Sequence, residues 1–241
     1  MSFSKIILLF LISINIIKIE KNIEFPIEKN IHSKWDFQLK KYVSENGVVN
    51  YKKWLNQIED LKSYIQILRK YIPNENWTNK ELLSYWINAY NALIVLLILE
   101  NYPITSIKDI PDRWDKKIFE VGSISYSLSN IEHDILRKLN DPRIHFAINC
   151  ASKSCPKLLN KAYQINKLNE QLDSSSRSFI LDSTKNIITY NKLKLSKIFL
   201  WYSSDFGQKK DKLEFIKKHS NTDISSSPKI NYMPYNWSLN E

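Results

Sequence analysis

The sequence predicts an α+β fold in a single domain, with a buried central helix packed against short antiparallel strands and surrounding helices. Three observations lead there. Residues 78–101 are apolar almost all round, through Leu82, Leu83, Trp86, Ile87 and the run 93–99, and only a helix enclosed by protein hides every face. Several other segments carry apolar residues at helical spacing on one side only. The remaining apolar runs are short and meet across turn residues, as the strands of hairpins do. No internal repeat or linker divides the 241 residues, so the elements belong to one unit.

Taken in order, residues 1–22 read as a signal peptide or N-terminal anchor. Lys5 precedes twelve apolar or near-apolar residues, 6–17, and the chain then turns polar. That run is shorter than the ~20 residues a membrane span needs. Export to the periplasm or cell envelope is therefore expected, with membrane contact only through this segment. The domain follows over residues 33–240. Amphipathic helices are predicted over 33–45 and 51–71, on either side of the Glu45-Asn-Gly47 turn. Thr78 and Glu81 form a capping box for the buried helix, which stops before Pro103. Residues 117–128 read as a hairpin around Gly122-Ser123, and residues 130–139 as a short helix ended by Asp141-Pro142. Residues 143–150 alternate as a strand. A helix over 168–181, a second hairpin over 187–195, helices over 196–204 and 209–219, and a short apolar tail complete the chain.

Thirty-five Lys and Arg against 25 Asp and Glu give a net charge of +10. The lysines are scattered and form no basic run interleaved with aromatics, so the excess reads as solvated surface and no nucleic-acid partner is expected.

Chemistry-bearing side chains concentrate in residues 132–155. Alternation along a strand puts His145 and Asn149 on one face and Ile144, Phe146, Ile148 and Cys150 on the other. His145 is the candidate general base, with a satisfied core histidine as the plain alternative. Glu132 reads either as the closing residue of a Ser129-x-x-Glu132 capping box or as a partly desolvated acid at the edge of a core stripe. His133 shares a helix face with Arg137 one turn on. Asn88 and Asn91, three residues apart on the buried helix, read as structural hydrogen-bonding groups or as donors facing a cleft. Cys150 and Cys155 are close enough in sequence for a small disulfide loop, and a reduced Cys155 is the more plausible reactive thiol. Neither H-E-x-x-H nor C-x-x-C spacing occurs, so no metal and no cofactor are expected.

Together, Tyr85-Trp-Ile-Asn-Ala-Tyr-Asn-Ala-Leu93, Asn130-Ile-Glu-His133 with Arg137, Asp141-Pro-Arg-Ile-His-Phe-Ala-Ile-Asn-Cys150, Ser154-Cys-Pro156 and the closing Tyr232-Met-Pro-Tyr-Asn-Trp237 resemble domain of unknown function family 547. The motifs occur in matching order over residues 35–240, and the chain looks like the bacterial exported single-domain form. The resemblance implies that Asn88, Asn91, Glu132, His133, Arg137, His145, Cys150 and Cys155 belong to the family pattern, and it brings no activity with it. A remoter likeness to papain-like and transglutaminase-like domains departs at the expected nucleophile, because Ser84 and Tyr85 stand where a cysteine would open the buried helix.

Two functions suit these residues. One is a hydrolase- or transferase-like domain acting on a peptide, cell-wall or amide substrate. There His145 would be the base, Glu132 would orient it or act as acid, Asn88 or Asn91 would donate to an oxyanion, and water or Cys155 would attack; His133 is a further candidate. Asn88, Asn91, Arg137 and Asn149 would bind the ligand. The other is a non-catalytic module that binds a small molecule or peptide in a pocket stapled by Cys150 and Cys155.

Overall fold

The structure is a computed structural model that describes residues 31–241. The segment read as a signal peptide or anchor, residues 1–22, lies outside the described residues.

Helix α1 (Ser33–Tyr42) is followed by α2 (Tyr51–Leu55) and α3 (Ile58–Lys70). One helix was expected over 51–71, and two form. The break lets the two parts pack in different directions. In α2, Trp54 stacks on Trp35 and Tyr42 of α1 and donates to Gln38 Oε1 at 3.0 Å. In α3, Leu61, Tyr64, Ile65 and Leu68 are buried, and the helix lies against α4.

Helix α4 (Asn79–Asn101) is the centre of the fold, and the expected capping box of Thr78 and Glu81 opens it. Every residue from Leu83 to Val95 is buried, which is what its all-round apolar surface requires. The larger apolar cluster surrounds it.

Strands β1 (Phe119–Val121) and β2 (Ile124–Tyr126) form the expected hairpin, with Gly122 at φ 62° in the turn. After α5 (Leu168–Leu181), β3 (Ile187–Ile188) pairs antiparallel with β4 (Lys192–Leu195). The closing segment, read as an apolar tail, instead supplies β5 (Lys229–Tyr232), which pairs with β4 in parallel. The expected antiparallel pairs form, β1 with β2 and β3 with β4, and the β4–β5 pair adds a parallel one. A parallel partner needs a long crossover, and α6 (Ile198–Trp201) with α7 (Lys209–Ser220) provides it. A second apolar cluster, rich in phenylalanine, contains Phe146, Phe179, Phe199 and Phe206.

The predicted strand over 143–150 does not form. Pro142–Phe146 is a 3-10 helix, opened by Asp141, whose side chain accepts from the Arg143 amide. The Arg143 guanidinium is tied to Asp141 at 2.7 Å and to Asp173 at 2.9 Å. Three residues per turn bring side chains i and i+3 into line, so period three replaces period two. Ile144 and Ala147 enter the α4 cluster, Phe146 enters the second cluster, and His145 and Ile148 face a cavity between them. Alternating hydrophobicity here records burial between two cores, not a pleated strand.

Candidate functional site

The short helix read over 130–139 is a wide π turn, Asn130–Ile135, running into a 3-10 turn, Leu136–Leu139. π turns are rare and recur at functional sites. This one buries Glu132 beside Ile131, leaving the glutamate 8% exposed. The capping box expected of Ser129 and Glu132 is not made. Its work is done two residues earlier: the Ser127 hydroxyl accepts from the Asn130 amide at 3.1 Å, while Asn130 Oδ1 accepts from the Ser127 amide. Glu132 is thereby released for the cavity. Its Oε2 accepts from the Tyr90 hydroxyl at 3.1 Å, and Oε1 has no hydrogen-bond partner among the described residues. The Tyr202 hydroxyl also interacts with the Glu132 carboxylate. Burial first, and then Glu132, push the Tyr90 and Tyr202 hydroxyls above their usual range.

His145 is 3% exposed and its ring lines the same cavity. Its Nε2 lies 2.8 Å from Asp205 Oδ2, and Nδ1 has no hydrogen-bond partner among the described residues. The ring stacks on Tyr202 at 4.0 Å between centroids. Arg137 grips Asp205 with both arms, Nε and Nη2 each at 2.6 Å, and so does not line the cavity itself. Arg137 holds the Asp205 carboxyl well below the usual carboxylate range, with His145 adding to the effect. Burial lowers the His145 pKa against the opposing pull of Asp205 and Glu132, which favours neutral imidazole. His133 lies exposed on the cavity rim with Nδ1 3.1 Å from Arg137, the expected one-turn relationship.

The asparagines divide. Asn88 is spent on backbone: Oδ1 accepts from the Tyr163 amide at 3.0 Å, and Nδ2 donates to the carbonyls of Tyr163 and Ser84. It does not line the cavity. Asn91 clamps the far side of the 3-10 segment, donating to the Ala147 carbonyl and accepting from the Asn149 amide. Both are structural groups, so the reading of either as an oxyanion donor is corrected. Asn149 borders the cavity, but its amide is likewise committed, to the Pro156 carbonyl and the Ala151 amide. That last contact turns the chain at Ala151, which sits at φ 54° inside the loop closed by Cys150 and Cys155.

Those two cysteines are joined as a disulfide, with Cα atoms 6.0 Å apart, and both border the cavity. Cys155 therefore offers no thiol in this state. The C-terminal segment straps the loop in place: Ser152 bridges to Leu239, and the Lys153 and Ser154 amides donate to the carbonyls of Ser238 and Asn236. This strap also brings Tyr235 and Trp237 to the cavity wall.

The result is one cavity of about 280 Å³ that gathers Glu132, His133, His145, Asn149, Cys150 and Cys155. Sequence reasoning missed Asp205 and the aromatic wall of Tyr90, Trp114, Trp201, Tyr202, Tyr235 and Trp237. Tyr90, Tyr235 and Trp237 lie within the family motifs, which was a usable signal. Asp205 lies in none of them. Among the described residues, no group of three or more His, Cys, Asp or Glu is arranged to hold a metal ion.

Fold and site thus define a single-domain α+β protein built on a buried helix, with an aromatic-walled polar cavity at one side. Residues 74–180, which carry Glu132, His145 and both cysteines, match the model of the family described as Protein of unknown function, DUF547. No curated protein and no solved structure matches the chain.

Proposed function

We propose that the cavity is an acid–base active site of hydrolase or transferase type, acting on a peptide, cell-wall or other amide substrate after export of the protein. The single observation that supports this is the Asp205–His145 pair, whose histidine lines the cavity that also holds Glu132. With the Nε2 proton given to Asp205, Nδ1 is the basic atom of a neutral imidazole. Asp205 is a positioning residue: it fixes the tautomer and stabilises the imidazolium once the proton has moved. Glu132 is the second proton carrier. Water is the nucleophile, because both sulfurs are bonded to each other. The tyrosine hydroxyls of the wall replace the asparagines as donors to developing negative charge.

The test is a panel of peptides, cell-wall fragments and N-acyl amides incubated with the protein and read by mass spectrometry. His145→Gln should cut product formation by roughly 10²–10⁴-fold with the melting temperature nearly unchanged. Asp205→Asn should shift the pH profile of the remaining turnover. No product from any substrate, or product formation indifferent to His145, would overturn the reading.

A second reading is a non-catalytic module for a small molecule or peptide, and the closed disulfide favours it. Its loop and the strap that covers it form a fixed wall with no free thiol. Saturable ligand binding that survives His145→Gln, without any turnover, would select it.

A further inference from the structure

The cavity is the electrostatic opposite of the chain that contains it. The whole sequence carries +10, yet among the described residues no lysine or arginine lines the cavity. Its acidic residues are Glu132, buried at the wall, and Asp115, exposed at the rim. The nearest guanidinium, Arg137, is already neutralised by the bidentate grip of Asp205. Burial raises the hydroxyl pKa of Tyr90, Tyr202 and Tyr235, and Glu132 adds to the effect. A phosphate or carboxylate would meet the Glu132 carboxylate here and, among the described residues, no lysine or arginine at the lining to receive it.

Around this charge stand six aromatic side chains, Tyr90, Trp114, Trp201, Tyr202, Tyr235 and Trp237. Three of them form a cluster: Tyr235 lies 4.6 Å from Trp237 and 4.8 Å from Trp201 with planes about 50° apart, while Trp201 and Trp237 stack at 5.9 Å. Tilted rings present faces in several directions, and each face carries the negative pole of the ring quadrupole. A cation enclosed by such faces is attracted by all of them, and more strongly where water is excluded. A buried carboxylate behind the rings adds to the same field.

We infer that this cavity takes an organic ammonium group, so that the substrate or ligand of the domain carries an alkylated or primary amine seated among the aromatic rings above Glu132. The inference rests on the acid–base reading only for what happens to the bound molecule. Its own content is recognition, and recognition is measured without turnover.

Calorimetric titration of the oxidised protein with choline, and separately with its uncharged isostere 3,3-dimethylbutan-1-ol, isolates the charge. Choline should bind saturably and at least about tenfold more tightly than the isostere. Phosphocholine should bind more weakly than choline, because its phosphate meets Glu132 and, among the described residues, no lysine or arginine lines the cavity to offset it. Glu132→Gln should weaken choline about tenfold and leave the isostere unchanged. Should that variant fail to fold, Trp237→Leu, altered on the half-buried strap, should weaken choline in the same selective way. Equal binding of choline and isostere, tighter binding of phosphocholine, or binding of a chito-oligosaccharide with none of choline would each overturn the inference. Choline binding by a protein whose turnover ignores His145 sinks the acid–base reading alone. Turnover of neutral amides without ammonium binding sinks only the present inference.

Discussion

Asp205 stands at the junction of two interactions that the chain brings together from afar: Oδ2 lies 2.8 Å from His145 Nε2, and both oxygens take the arms of Arg137 at 2.6 Å. One carboxylate therefore orients the histidine of the cavity and neutralises the cation beside it. Arg137 and Asp205 keep side-chain exposures of 28% and 18%, so the pair is partly sheltered from solvent. Bidentate geometry with such shelter gives more than an open surface pair does. A double-mutant cycle of Arg137→Ala and Asp205→Ala should return a coupling of about 1–3 kcal/mol in urea unfolding. Additive losses would show that the two groups do not act together.

Two histidines, His145 and His32, give the protein an acid-side slope. Burial lowers the pKa of His145, and drives His32 down to about 3. The unfolded chain takes up a proton on each near pH 6.5 while the folded chain does not. The unfolded state then binds more protons, and stability falls as the pH drops from about 6.5. Asp205 adds nothing in this window: its lowered pKa yields stability that is complete above about pH 4 and is lost only below that. His145→Gln removes one of the two histidines, so urea midpoints between about pH 6.5 and 4.5 should fall less steeply, by at most about 1.4 kcal/mol per pH unit. An unchanged slope would mean that His145 is protonated in the folded protein.

Asn91 is a test of structural against functional polarity. Replacing it with Ala leaves the Ala147 carbonyl and the Asn149 amide without their side-chain partners in the interior. A loss of roughly 2–4 kcal/mol is expected, since each buried group left unpaired costs about 1–3 kcal/mol. Asn88→Ala should also destabilise, through Tyr163, while leaving choline affinity unchanged because Asn88 is outside the cavity. A stable Asn88→Ala protein with impaired binding would reverse that assignment.

The disulfide closes a short loop, with the cysteines five positions apart. Loop-closure entropy for so short a span gives roughly 2 kcal/mol. Reductant should add the mass of two hydrogens and lower the unfolding midpoint accordingly. Identical mass with and without reductant would show that the cysteines are reduced in the purified protein.

The fold was legible where local chemistry was redundant. The Thr78–Glu81 capping box and the all-round apolar run specified α4, and Gly122 specified the first hairpin. The sequence failed where two cores compete for one segment. Residues 143–150 alternate in polarity, and alternation is the mark of a strand only if one face meets one core. Here His145 and Asn149 border a cavity, Arg143 pairs with Asp141 and Asp173, and the apolar residues divide between two clusters, which a 3-10 turn accomplishes. The parallel pairing of β5 with β4 was invisible for a related reason, because a strand edge has no local signature of its distant partner.

The sequence by itself determined the buried helix, the order of helices and hairpins, and the neighbourhood of the site around Glu132, His145 and the two cysteines, because those features are written in local spacing and residue type. Only the tertiary structure decided that Asp205 holds His145, that Asn88 and Asn91 serve the backbone, and that aromatic rings from α4, α6 and the C-terminal strap line the cavity that holds Glu132. Those contacts join residues 42 to 75 positions apart and more, and hydrogen bonding over such separations depends on how whole elements pack, which no local pattern encodes.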